Sequence, residues 1–231
     1  MGPYSEVAEY YDAVVKKYPG YYDSVLFLNN LLAGKKVLEV GVGTGTVARM
    51  LSEQGFDVTG IDSSEEMLKI AKSKLSGLDI CLKQQDLLNL DLDKKFDSIV
   101  FYQGPLCIIR TVSGLVMETY LEDNLQVATS LNKLNHHLKN SGNLVIGIRD
   151  DRVPDRSILF GDGLSYHVCL RRRSSDRQEI THMIVDGMSV LAKDSLTKYQ
   201  LPLSEFHTLL KQNCFSIKGF DLTKNFYIAE K

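Results

Sequence analysis

Three carboxylates stand at or near the ends of three short β-rich runs: Glu39 in KVLEV, Asp62 in VTGID and Asp86 in LKQQD. Between the first two lies G-V-G-T-G, carrying Gly41, Gly43 and Gly45. Glycine permits a tight turn and lets a ligand approach main-chain N–H groups. A dinucleotide fingerprint wants glycines at the first, third and sixth places, but here the third glycine comes one residue early and position 46 is Thr. A phosphate P-loop fits worse, because no Gly-Lys-Ser/Thr follows. Glu39, two residues before the first glycine, would oppose a pyrophosphate and favour an ammonium or sulfonium cation.

The other two acids complete a ligand outline. Asp62, with Ser63 beside it, can accept hydrogen bonds from both hydroxyls of a ribose. Asp86 can take the exocyclic amine of adenine, with Met67 and Leu87 as apolar faces. A cationic part, a ribose and an adenine describe S-adenosylmethionine. The plainer reading keeps both aspartates as turn residues bonded to local backbone amides.

Elements that could position these residues are visible in the patterning. KKVLEVGV, DVTGID, ICLKQQ, FDSIVFY and GNLVIGIR have the apolar character of buried parallel strands, and segments near 45–55, 65–75 and 119–139 supply crossover helices. The alternation predicts an α/β fold with a doubly wound, mostly parallel sheet. In front lies a helix whose Tyr4, Val7, Ala8, Tyr11, Val14, Val15 and Tyr18 form one apolar stripe. Behind the fifth strand, SYHVCLRRR, EITHMIV and SVLAKDSLTKYQL read as successive antiparallel strands. LPLSEFHTLLKQNCF gives a last helix, and SIKGFDL with NFYIAEK a closing strand pair. His136 and His137 are expected to be solvated at a helix end, and Arg171, Arg172 and Arg173 to line a solvated edge.

E-V-G-V-G-T-G with Asp62, Asp86 and FDSIVFYQGP resembles the class I S-adenosylmethionine-dependent methyltransferase family over roughly residues 35 to 150. The small-molecule branch often opens with a helix bearing a Tyr-Asp pair, which Tyr11 and Asp12 match, and the strand insert is similar to that branch. The resemblance implies a seven-stranded Rossmann-like sheet with an antiparallel C-terminal hairpin. It divides a single domain into a helical lid (1–34), a cofactor core (35–150), an acceptor-side insert (151–200) and a closing helix with a strand pair (201–231). It places Glu39 and Gly41 near the methionine moiety, Asp62 at the ribose, Asp86 and Leu87 at the adenine, and Gln103 near the methyl group. Tyr11 and Tyr22 join the cofactor candidates, and Tyr11, Gln103, Arg149 and His167 are the catalytic ones. The implied activity is methyl transfer to an N or O atom of a small molecule. Methylation of RNA or protein, or cofactor binding without turnover, are the alternatives.

Composition sets outer bounds. The chain has 231 residues with a formal net charge of −2, so no overall positive field gathers nucleic acid. Apolar stretches fall short of the ~20 residues of a membrane span, and a cytoplasmic protein is expected. Cys81, Cys107, Cys169 and Cys214 lie far apart with no C-x-x-C, and no metal site is expected. Self-association is left open.

Overall fold

A computed structural model describes residues 4–18, 20–151, 156–161, 163–221 and 225–231. The core is a seven-stranded array. β1 (Lys36–Val40) lies between β2 (Asp57–Asp62) and β4 (Phe96–Phe101), with β3 (Cys81–Gln84) outside β2, all parallel. β7 (Leu138–Asp150) follows β4 in parallel, β13 (Phe226–Glu230) runs antiparallel to β7, and β12 (Ser216–Asp221) closes the edge beside β13. The interior strands are apolar on both faces, as in β1, where Val37, Leu38 and Val40 are all buried.

The crossover helices α3 (Thr46–Glu53), α4 (Glu65–Lys74) and α5 (Asn124–His137) fall where the periodicity places them, and α6 (Leu203–Gln212) precedes β12. Two side-chain caps fix starts: Ser64 accepts from the Met67 N–H at 3.2 Å, and Asp123 from that of Gln126 at 2.8 Å. His137 is not solvated. It is buried, and its Nε2 accepts from the Leu92 N–H at 2.9 Å, satisfying a loop amide from inside the core.

A second, antiparallel sheet grows from the far end of β7, and here the sequence reading needs correcting. Between the fourth strand and α5 the chain makes an additional hairpin, β5 (Leu106–Thr111) and β6 (Gly114–Thr119), rather than passing straight into a helix near 119. β5 pairs in parallel with the end of β7, from Ile108 opposite Ile148 to Arg110 opposite Asp150. β6 then pairs with β11 (Ser189–Pro202), followed outward by β10 (Arg177–Asp186), β9 (Leu164–Arg172) and β8 (Arg156–Phe160). The insert is therefore continuous with the core through β7.

The N-terminal segment closes over this junction. α1 (Ala8–Val15) is shorter than its stripe, because Tyr4 takes a left-handed φ of 62° ahead of it. Val7 and Val14 pack against Phe160, Tyr166, Ile184 and Ala192 of the insert, whereas Val15 joins the core cluster under α2 (Tyr21–Leu28). Asp194 on β11 accepts the N–H groups of Glu6 and Val7 at 3.1 and 3.0 Å. On its other side α1 is tied to the core by Asp12, which accepts from Thr44 Oγ1 at 2.6 Å and Lys74 Nζ at 2.6 Å.

Candidate active site

The glycine turn joins β1 to α3. Gly41, Gly43 and Gly45 have φ of 77°, 53° and 81°, values that side-chain-bearing residues rarely adopt. Their surroundings differ. A Cβ on Gly41 would lie 2.7 Å from Pro105 Cδ, and one on Gly45 2.6 Å from Leu75 Cδ1, whereas one on Gly43 would meet nothing within 4 Å. Gly45 is thus a packing glycine behind the turn and does not line the groove. Gly43 presents bare backbone to open space.

Along this turn runs a groove of about 1170 Å³ of open space. Its walls include Tyr11, Gly41, Gly43, Asp62, Ser63, Met67, Asp86, Leu87 and Gln103, nine of the predicted cofactor residues. They reach one place because strand ends of a parallel sheet share an edge. Asp62 is partly committed to the fold: Oδ2 accepts the Gly43 N–H at 2.8 Å and Oδ1 the Ser64 N–H at 2.9 Å. Each oxygen keeps lone-pair capacity for a ligand hydroxyl. Burial raises the Asp62 carboxyl above its ordinary value, against the pull of these amides. Asp86 likewise bonds the Leu88 and Asn89 N–H groups at 2.9 Å each; burial would raise it, but the bonds from Asn89 and Leu88 lower it.

Besides Gly45, three predicted positions fall elsewhere. Glu39 lies beneath the groove, 2 % exposed, with Oε2 lacking a partner. Burial, reinforced by Asp62, pushes its carboxyl well above the usual range. Tyr22 does not line the groove; it is 39 % exposed on α2, and its neighbour Tyr21 is the buried one. His167 points away from the insert's inner face and bonds Ser165 Oγ at 2.8 Å, because strand alternation turns Tyr166, Val168 and Leu170 inward instead.

Those inward residues line a second cavity, closed on the other side by Tyr4, Val7, Tyr11, Val14 and Tyr18. It meets the groove at Tyr4, Tyr11 and Gln103, which line both. Gln103 holds a left-handed φ of 56° just after β4, a conformation that costs a non-glycine residue about 1–2 kcal/mol and clusters at functional sites. Arg149 also reaches this cavity, with its guanidinium committed to ion pairs: Nη2 to Glu118 at 2.7 Å and to Asp151 at 2.6 Å. Lys198 Nζ, itself buried, bonds the same Glu118 oxygen at 2.7 Å. Burial alone would raise the Glu118 carboxyl; Lys198 and Arg149 outweigh it and hold it well below the usual range. None of Glu118, Lys198, Tyr120 or Tyr166 was singled out from sequence. Their signal, polar residues on or just after the inward phase of β-strands, is visible only once the strands are paired.

A family model described as "Methyltransferase domain" matches residues 37–142. A Geobacillus sp. (strain WCH70) protein named as a methyltransferase is 29% identical over 170 residues, which is 70% of this chain and 62% of that one. Among solved structures, a S-adenosylmethionine-dependent methyltransferase from Clostridium acetobutylicum superposes with TM-score 0.70 at 19% identity, covering 97% of both chains. Residues 37–142 thus match the methyltransferase domain family, and the fold is the one seen in S-adenosylmethionine-dependent methyltransferases. CalS10, a SAM-bound amino pentose methyltransferase from Micromonospora echinaspora, matches with TM-score 0.69 at 17% identity over 100% of this chain and 98% of its own. The fold likeness to these methyltransferases thus extends through the lid and insert, beyond the matched family region. The chain spans 62% of the length of its Geobacillus relative.

For the cofactor of this family, S-adenosylmethionine, the residues present fit. A buried carboxylate oxygen lacks a partner at Glu39, and the backbone over Gly43 is open. Among the described residues no group of three His, Cys, Asp or Glu could hold a metal ion, and no helix is long and apolar enough to cross a membrane.

Proposed function

We propose that the protein transfers a methyl group from S-adenosylmethionine to an N or O atom of a small molecule. The observation that carries this reading is the meeting of two cavities at Tyr4, Tyr11 and Gln103, one walled by the strand-end acids and the other by the insert and lid. The cofactor supplies a methyl group already activated on a sulfonium. The chain has to align an acceptor with it, keep water out and leave the displaced proton a route.

In this reading Asp62 accepts the ribose hydroxyls, Asp86 with Leu87 and Met67 frames the adenine, and Glu39 offers its free oxygen toward the cationic methionine end. Tyr11 and Gln103 stand where the two cavities join and set the angle of approach. Tyr4 and α1 cover the junction, and the lid's bonds to Asp194 and to Lys74 hold that cover against both halves. The acceptor-side cavity is narrow and walled largely by tyrosines and aliphatic side chains, dimensions suited to one small ring; the amino pentose named for CalS10 is a molecule of that size.

Calorimetry with S-adenosylhomocysteine and with NAD tests the cofactor assignment, the first expected to bind and the second not. Asp62→Ala is expected to weaken S-adenosylhomocysteine by ~10–100-fold, matching the ~1.5–3 kcal/mol of a hydrogen bond to a charged group. Equal affinity of the variant would remove Asp62 from the site.

A further inference from the structure

His182 sits on β10 opposite Val168 of β9, on the inward phase shared by Ile180 and Ile184, and lines the acceptor-side cavity. The residue is 6 % exposed. Its Nδ1 is held by the Tyr166 hydroxyl at 2.6 Å, whereas Nε2 is buried with no partner. The ring is clamped, stacked on Tyr166 at 5.9 Å and 10° and tilted against Tyr4 at 4.7 Å. Buried polar atoms are nearly always hydrogen-bonded, so an unpaired one on a residue that lines a cavity marks a place for a ligand's polar atom.

We infer that His182 Nε2 is the contact that seizes the methyl acceptor, accepting a hydrogen bond from an N–H of an amine that is taken up unprotonated. This rests on the methyl-transfer reading above. In the tautomer assigned, Nδ1–H donates to Tyr166, Tyr166 donates toward Tyr18, and the Nε2 lone pair is left without a partner. The choice of amine over hydroxyl comes from what surrounds the ring. Lys198 from β11 and Arg149 from β7 bring positive charge, with Glu118 of β6 opposing them. Asp194 of β11 lies opposite His182 in register but is spent on the lid amides of Glu6 and Val7. Tyr4, Tyr11, Tyr18, Tyr120 and Tyr166 are neutral, and Asp151 is ion-paired to Arg149 and Arg156.

Burial and the two cations push the imidazole down to about 3, so it accepts a hydrogen bond but does not keep a proton. An amine needs nothing more. Its lone pair forms the new N–CH3 bond as the S–CH3 bond breaks, with that bond's electron pair left on sulfur. The positive charge passes to the methylated ammonium, which sheds its proton to solvent after release. A hydroxyl acceptor would instead require a base that holds its proton.

The test uses full-length protein labelled with 15N-histidine, with S-adenosylhomocysteine and two matched probes, tyramine and tyrosol. Expected is an imidazole that stays neutral from pH 5 to 9, with Nε2 unprotonated and its resonance shifted by tyramine but not by tyrosol. With S-adenosylmethionine, tyramine is expected to release S-adenosylhomocysteine. His182→Phe is expected to raise the tyramine KM at least tenfold while S-adenosylhomocysteine affinity stays within threefold, and His182→Gln, which keeps an acceptor oxygen, to recover part of the loss. A protonated Nε2, a titrating ring, an equal response to tyrosol, or an unchanged KM in the Phe variant would overturn the assignment. Failure of the wild-type protein to bind S-adenosylhomocysteine would overturn the methyl-transfer reading first, and this one with it.

Discussion

At the scale of single residues, Glu39 shows how a buried carboxyl can work against the stability of its own fold. Its carboxyl is buried and pushed well above 4.5, so the folded chain holds a proton that the unfolded chain has released. Stability from this group is therefore intact below the ordinary value and declines as pH rises toward the folded one. Glu39→Gln, neutral at all pH, is expected to raise the melting temperature of the ligand-free protein at pH 8 and leave it unchanged at pH 4. The same variant is expected to bind S-adenosylhomocysteine more weakly, because the methionine ammonium loses its counter-charge. A variant that melts lower at pH 8 would show that the ionised carboxylate is stabilised within the fold. The acids were legible in the sequence because strand ends and glycine turns are local signals. Tyr22 and His167 were misassigned for a common reason: one position along a helix or strand decides which face a side chain takes, and that phase is set by packing partners far away in the chain, such as Ile184 opposite Tyr166.

At the scale of elements, the N-terminal segment with α1 is held by polar ties on both flanks. Asp12 carries the core-side tie: burial would raise its carboxyl, but the bonds from Lys74, Thr44 and Thr46 lower it below 3.8. That contribution is present above the ordinary value and fades as pH falls through the folded one. Asp12→Ala is expected to speed proteolytic cleavage within the first twenty residues while the core remains resistant, and saturating S-adenosylhomocysteine should slow it again if the lid closes on the ligand. Cleavage at the wild-type rate would mean that the Asp194 tie and the apolar face suffice. The five core parallel strands and the crossover helices were readable from periodicity. The β5–β6 hairpin was not, because Leu106–Thr119 has no helical stripe and its turn, TVSG, carries only one glycine as a marker. Its strand character becomes plain only beside β7 and β11.

At the scale of the whole molecule, two sheets meet at a buried charge cluster set beside an apolar cluster that also spans them, with Ile108, Met117 and Leu201 packed together with Ile146. Glu118 is 1 % exposed and answers both Lys198 and Arg149, one from the insert and one from the end of the core strand β7. Glu118→Gln would leave two cations buried with less than their counter-charge, and breaking such a pair costs about 3–5 kcal/mol. Chemical denaturation is expected to show a loss of that order at pH 7. The loss should narrow below pH 4, since the folded carboxyl lies below its ordinary value and its contribution is lost as pH falls toward it. A loss under 1 kcal/mol would mean that Asp151, paired with Arg149, already carries the balance. The alternation of strands and helices and the later antiparallel run were readable from patterning, but this cluster was not, because Glu118, Arg149 and Lys198 are far apart in the chain and each reads as an ordinary charge on a strand. The thirteen-residue β7 has a further consequence. Its early residues pair with β4 and its last three with β5, so one rigid rod is shared by the two halves. A chimera that exchanges inserts between homologues cannot be cut at the end of the fifth strand without severing a hydrogen-bonded ladder. Recombination should succeed only where β5, β6 and the tip of β7 travel with the donor, so new acceptor preferences on this scaffold are inherited as a discontinuous block of sequence.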